Sequence, residues 1–389
     1  MKPTSTVLLE FNPQRDNLGK GKELRDGLSV ALQIGDTLWV ANDESISLER
    51  LSLQKESKSG NYKYGREHKQ FCLSDYLELP VPPAKLTKKQ KKTKPEESGF
   101  EEIDIEGLDY EGGYLWLVGS HSLKRSKPDL KDGQKIAQKQ LAEVSADGNR
   151  YLLARIPVVD VDGTYTLTKV DKHKGQKRSA ALLDGNAKGN DLTEALRQDK
   201  HLGPFLDIPG KDNGFDVEGL ALVGKRILLG LRGPVLRGWA VILELELKQD
   251  KKQPSRLKLK AIGPKQRLYR KHFLDLGGLG IRDICVQDSD LLILAGPTMS
   301  LDGPVTIFRW PGGAEAKSTG IKNESVVTAE TLQHVMDVPY GKGVDHAEGI
   351  TLFSQMNGKA SSLLVVYDSA SESRQLSESS AVADVFSLR

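Results

Sequence analysis

The chain has 389 residues, a formal net charge of +3, 38% apolar residues, 38 glycines and two cysteines. A charge so near balance excludes a global field for nucleic acid, and Cys72 and Cys285 alone exclude a disulfide framework. No run reaches the about 20 apolar residues of a membrane span, and Met1 to Asp16 lacks the apolar stretch of a secretory leader, so a cytoplasmic protein without membrane association is expected.

In chain order, the first strand signal is Thr6-Val7-Leu8-Leu9-Glu10. Asp26-Gly27-Leu28-Ser29-Val30 follows, and after a turn-sized gap comes the apolar run Leu38-Trp39-Val40-Ala41. This pairing of a short phrase with a strand-like run recurs. Asp104-Ile105-Glu106-Gly107-Leu108 precedes Leu115-Trp116-Leu117-Val118, and Asp216-Val217-Glu218-Gly219-Leu220 precedes Ile227-Leu228-Leu229-Gly230. Gly280-Ile281-Arg282-Asp283-Ile284 precedes Leu292-Ile293-Leu294-Ala295, and His346-Ala347-Glu348-Gly349-Ile350 precedes Leu363-Leu364-Val365-Val366. Self-similarity of this kind predicts radial repetition of one small sheet.

With Ser29, Glu106, Glu218, Asp283 and Glu348 as the repeated position, the intervals are 77, 112, 65 and 65 residues. The equal pair predicts blades of four short strands, and the long pair must carry insertions. The first insertion is Lys-rich and proline-bracketed over residues 82–99, a composition that predicts a solvated, disordered loop. The second includes residues 121–140 and 184–204, where Asp191 and Glu194 predict a capped short helix. In the third repeat, Ala240 to Leu247 reads as a half-buried strand and Arg256 to Lys260 as the outer edge. Ala383 to Leu388 and Thr6 to Glu10 together complete the last sheet. The expected fold is all-β: a single-domain β-propeller over residues 1–389, with five blades of four antiparallel strands and a ring closed by both chain ends. A sixth blade inside the 112-residue interval is the alternative.

In a propeller the start of each innermost strand faces the axis, so these five positions form a ring at the tunnel mouth. Four carboxylates that close together need compensation, because like charges raise one another's pKa. A hard cation with six to eight oxygen ligands would supply it, and Ca²⁺ tolerates an irregular ring better than Mg²⁺. Ser29, Glu106, Glu218, Asp283 and Glu348 are therefore the candidate metal ligands. The plainer alternative is that the acids hold water, pair with Arg232 and Arg282, or bond backbone groups between blades. Loops after the second strands would share this face. They bring His121, Asp43 and Arg232 as candidate catalytic groups, with Lys124, Arg125, Arg237 and Arg282 as candidate anchors for an anionic small molecule such as a phosphate ester or anhydride.

These phrases, with Leu231-Arg232-Gly233-Pro234 and Gly119-Ser120-His121-Ser122, resemble a bacterial domain-of-unknown-function family, number 3616, from Ser29 to Tyr367. The resemblance implies no activity. In arrangement alone, the ring is similar to that of the calcium-activated nucleotidases (apyrases), five-bladed propellers with a central Ca²⁺ ringed by Glu and Ser side chains. That likeness implies a central metal and leaves the reaction open; the basic loop residues beside the ring add the expectation of a metal-dependent hydrolase of phosphorylated small molecules. Two rival readings stand beside it. One is a glycosidase using Glu106, Glu218 and Glu348, which a chain with 6% aromatics equips poorly for sugar. The other is a non-catalytic propeller that binds a ligand or a protein partner around a structural ion or water cluster. No Walker A phrase, Gly-x-Ser-x-Gly elbow or zinc spacing is present, and the Lys85 to Lys94 run lacks the interleaved aromatics of a nucleic-acid site.

Overall fold

The structure, a computed structural model, describes residues 2–19, 22–56, 61–82, 102–173, 175–315, 324–354 and 362–388. Antiparallel meanders follow one another along it. The first comprises Leu28–Ile34, Thr37–Asn42, Ser47–Glu56 and Tyr62–Cys72. The second comprises Ile105–Glu111, Tyr114–Gly119 and Leu153–Val161, with Thr164–Leu167 and Ala181–Leu183 dividing the fourth place. The third is Asp216–Val223, Arg226–Leu236, Trp239–Gln249 and Tyr269–Asp275, and the fourth is Gly280–Gln287, Asp290–Gly296, Val305–Trp310 and Gln333–Val338. The fifth joins His346–Phe353, Ser362–Asp368 and Ser380–Ser387 to Ser5–Glu10 from the other end of the chain. The first four meanders begin as two-residue hairpins, and each turn opens on a positive φ: Gly35 (55°), Gly112 (62°), Gly224 (61°) and Asp288 (53°). Primed turns of this sort match the strand twist, and Gly or Asp supplies them at low cost.

Each meander buries a face against the next. Val30, Trp39 and Leu48 pack on Ile105, Leu117 and Ile156, and Trp116 and Leu153 pack on Leu220 and Leu243. Leu228 and Ile242 pack on Ile281 and Ile293, then Leu294 and Ile307 on Ile350, Leu363 and Phe386. Leu364 and Val385 return to Leu28 and Val40 of the first meander. The five first strands touch one another in the same cyclic order. This is a β-propeller. Burying one such aliphatic side chain stabilises by roughly 1.5–3 kcal/mol, so the interfaces between sheets, rather than any single core, hold the disc together.

The chain ends meet as expected. Ser5–Glu10 pairs antiparallel with Ser380–Ser387 and, on its other edge, parallel with Tyr62–Cys72. This leaves the seam between last and first sheets without an open edge there. A second stitch corrects one expectation. Arg256–Leu259 is not the outer strand of the third sheet; that place belongs to Tyr269–Asp275. Arg256–Leu259 pairs only with the end of Trp239–Gln249 and crosses, parallel, to Ala181–Leu183 of the second sheet. Its short alternation marked a strand correctly but could not specify which edge it joined.

The insertion after Gly119 carries the helix Gln134–Ala142. The helix Asp191–Leu196 begins one residue earlier than its acids suggested. Asn190 is the N-cap, accepting from the N–H groups of Leu192 and Thr193, while Thr193 Oγ1 accepts from the Asn190 N–H. Of the Lys-rich stretch at 82–99, residues 83–99 lie outside the described residues. Among the described residues, no helix is long and apolar enough to cross a membrane.

Candidate functional site

The first strand of every sheet contains one residue that the pairing skips. The register jumps between Leu28 and Val30, Ile105 and Gly107, Val217 and Gly219, Ile281 and Asp283, and Ala347 and Gly349. Each jump is a β-bulge, which bends the strand and re-aims the extra side chain. The skipped residues are Ser29, Glu106, Glu218, Arg282 and Glu348. Four coincide with the sequence motif. In the fourth sheet the equivalent residue is Arg282, so Asp283 is not a member of the ring.

The reason lies in which residue sets the register. Alignment by the acid matched Asp283 to the glutamates, whereas the buried Ile281 occupies the place of Ile105 and Val217. Asp283 therefore stands where Gly107, Gly219 and Gly349 stand elsewhere. Those glycines face the neighbouring first strand: a Cβ on Gly107 would lie 2.5 Å from Leu220 Cβ, and one on Gly349 would lie 2.7 Å from Val30 Cα. Asp283 uses this position to accept hydrogen bonds from the Ile284 N–H (2.8 Å) and from the Ile350 N–H of the next sheet (2.8 Å). Asp109 makes the same kind of bridge, from the Tyr110 and Leu222 N–H groups. Burial raises both acids, Asp109 to about 6 and Asp283 well above the usual carboxylate range.

Arginines, rather than further acids, balance much of the ring. Glu218 Oε1 accepts from Arg232 Nη1 at 2.7 Å, and Glu348 Oε1 from Arg282 Nη1 at 2.7 Å. The same Arg282 nitrogen is 3.6 Å from Glu218 Oε2. One layer further out, Arg150 meets Asp104 at 2.9 Å and Glu102 at 2.6 Å. The Ser29 hydroxyl donates to the Ile105 carbonyl at 2.5 Å. Glu106 is the exception: among the described residues its carboxylate has neither a hydrogen bond nor an ion pair. Burial, followed by the carboxylates of Asp104, Glu218, Glu348 and Asp43, pushes it well above the usual range.

Asp43, at the end of the first sheet's second strand, is likewise pushed well up by burial and then by Asp104, Asp368 and Glu348; its Oδ1 is enclosed without a hydrogen bond. Asp216 rises to about 7 by burial and the nearby Glu218, and Glu348 to about 7 by burial and the nearby Asp368. The mouth thus carries more carboxylates than guanidinium groups, and among the described residues Asp43, Glu106 and Asp216 have no ion pair.

Most of the other expected residues are held by partners of their own. His121 is buried, with Nδ1 bonded to the Gly119 carbonyl (2.7 Å) and Nε2 to Asn190 Nδ2 (2.8 Å), and burial lowers it to about 4. It holds the residue that caps the helix Asp191–Leu196, and with Nδ1–H donating to Gly119 and Nε2 engaged by Asn190 it has no nitrogen free to exchange a proton. Lys124 pairs with Glu102 (2.5 Å), and Arg125 with Asp212 (2.7 Å) and the Leu141 carbonyl (2.5 Å). Arg237 is exposed at the Leu236–Trp239 hairpin tip. Arg232 spends its remaining donors on the Thr298 and Met299 carbonyls. Lys124, Arg125 and Arg232 are thus each engaged with protein carboxylates or carbonyls. Arg150, Asp104 and Asp216 were missed, although the Asp of the repeated Asp-x-Glu phrase was a visible signal for the last two. Among the described residues, no three His, Cys, Asp or Glu side chains converge as metal ligands would.

Residues 27–384 match the model of a family described as protein of unknown function (DUF3616). No curated protein matches the chain. Similar solved structures include a streptogramin B lyase, at 8% identity and a TM-score of 0.33 over 93% of this chain and 94% of that one. Another is Hsv2p of Kluyveromyces lactis, at 10% identity and a TM-score of 0.29 over 95% of this chain and 70% of that one.

Proposed function

We propose that this chain, which belongs to the DUF3616 family of proteins of unknown function, is a five-bladed binding propeller that holds a cation at its axial mouth, beside Asp43 and Glu106. One observation carries the reading: Glu106 projects from a bulge into a cluster of acids, yet no arginine meets it, while Glu218 and Glu348 each have one. A cation placed there would offset the mutual repulsion that now favours protonated carboxyls. An anionic substrate fits the mouth poorly, because Arg232 and Arg282 are already engaged with glutamates and acids outnumber them. The five-blade count rests on the closed cycle of contacts among the five first strands.

Calcium, the ion expected from the acid ring, is the first cation to test, with magnesium and small organic cations beside it. A ligand that binds only the folded state raises the melting temperature, by about 2.7 kcal/mol of stability at a hundredfold excess over Kd. The reading expects at least one cation to raise the melting temperature of the full chain at neutral pH and Glu106→Gln to remove that response. No response to any cation would overturn it.

A further inference from the structure

We infer that the insertion at residues 124–145 is a contact for anionic lipid: the helix Gln134–Ala142 and the turn before it rest in the surface of a negatively charged bilayer. This goes beyond the cation reading and does not depend on it.

The insertion is fastened at its base and open above it. Lys124–Arg125 pairs with Val144–Ser145, and Arg125 reaches Asp212 at 2.7 Å and the Leu141 carbonyl at 2.5 Å. Ala137 is the one buried side chain described on the helix. Its apolar neighbours are not covered: Leu130 is 77% exposed, Ile136 48%, Leu141 49% and Val144 45%. At about 100° per residue, Ile136, Ala137 and Leu141 span an arc of roughly 140°. The Asp129 N–H donates to Gln140 Oε1 at 2.8 Å, which seats Leu130 beside that arc. Clustered exposed apolar side chains of this kind mark an interaction surface.

Charge selects the partner. Residues 124–145 hold six basic and three acidic residues. Lys124 and Arg125, at the base, are matched by Glu102 and Asp212. Lys127, Lys131 and Lys135 are exposed, with no carboxylate partner among the described residues, and Lys139 only approaches the exposed Glu143 at 3.7 Å. Free lysines beside an aliphatic helix arc suit the headgroups and upper acyl chains of an anionic bilayer together.

Other occupants fit less well. Protein interfaces enrich aromatic residues, Met and Arg and deplete Lys, and residues 126–145 contain none of the enriched types. A second copy docked through the same insertion would bring like charges together. The lack of a spanning helix among the described residues argues against crossing the bilayer, not against a contact in the plane of its surface.

The test is sedimentation of the full chain with vesicles of phosphatidylcholine alone or mixed with phosphatidylserine, at about 0.1 M and about 0.5 M NaCl. Binding is expected only with phosphatidylserine, and weaker at the higher salt. Replacing Lys131 and Lys135 together by Gln should weaken it about 25-fold, at about 5-fold per lysine. Leu130→Ser, at an exposed position outside the core, should weaken it at least about 5-fold. No binding to either vesicle, or equal binding to both, would overturn the inference. Unchanged binding by Leu130→Ser would also overturn it, because charge alone would then account for the association. A dimer in sedimentation velocity that Leu130→Ser abolishes would assign the surface to a second copy instead. Lipid choice and salt are compared on the unaltered chain, so the inference stays falsifiable even where a variant does not fold.

Discussion

Replacing Arg282 with methionine removes a guanidinium and keeps most of its apolar length. Arg282 Nη1 lies 2.7 Å from Glu348 Oε1 and 3.6 Å from Glu218 Oε2, and Nη2 donates to the Pro297 carbonyl at 3.1 Å. The Arg282 side chain is 7% exposed and that of Glu348 is 14%, so water replaces the lost contact poorly. Removing one partner of a buried pair costs about 3–5 kcal/mol, because the other charge is left uncompensated. Glu348 has an escape, since burial and Asp368 already hold it at about 7, and without Arg282 it rises further. At pH 5 it is protonated in the folded protein, and the penalty falls toward that of a lost hydrogen bond, about 1–2 kcal/mol. Urea denaturation of the wild type and Arg282→Met at pH 8 and pH 5 should therefore show a penalty about 2 kcal/mol larger at pH 8. Adding Glu348→Gln to Arg282→Met should recover most of that difference. A penalty equal at both pH values, or no recovery in the double variant, would refute the placement of Arg282 in the ring.

Other outcomes follow from the same geometry. Asp43, Glu106, Asp216, Asp283 and Glu348 all lie above their unfolded values in the folded protein. These five acids outweigh His121, whose lowered value acts in the opposite sense, so the folded state binds more protons than the unfolded state once pH exceeds about 4, and stability falls as pH rises toward the folded values. A melting temperature that declines between pH 4.5 and pH 7.5 is expected, and a curve rising across that window would contradict it. Asp283→Ala strands the Ile350 N–H at a sheet-to-sheet contact and removes the bond to Ile284, at a cost of about 2–5 kcal/mol in urea denaturation. A loss below about 0.5 kcal/mol, the low end for a net hydrogen bond, would mean that the bridge is not formed.

The repeating sheet was legible because its signals are local. Leu38 to Ala41, Leu115 to Val118 and their counterparts are continuous apolar runs that the disc buries on both faces, and the turn residues between strands are those that positive φ demands. The closing strand, Thr6 to Glu10, was legible for the same reason. What misled was the choice of anchor. The acid of Arg282-Asp283 drew the alignment one residue off, although Ile281 already matched Ile105 and Val217. A bulge is defined by pairing across strands, and one strand's sequence does not contain it. His121 shows a second limit: its residue type suits proton transfer, but its two hydrogen bonds and its burial come from Gly119 and from Asn190, which is close only in space. The guanidinium of Arg150, far from the repeated phrase in sequence, reaches Asp104 in the same way.

The central claim is that Glu106 is an acid left without a partner in a ring whose other glutamates are matched. The most direct measurement is urea denaturation at pH 7.5 of Glu106→Gln beside Glu218→Gln, without added ligand. Because Glu106 is held above its unfolded value, neutralising it should stabilise the fold by at least about 1 kcal/mol, whereas Glu218→Gln should destabilise it by leaving Arg232 unpaired. Destabilisation by Glu106→Gln as large as that by Glu218→Gln would contradict the account.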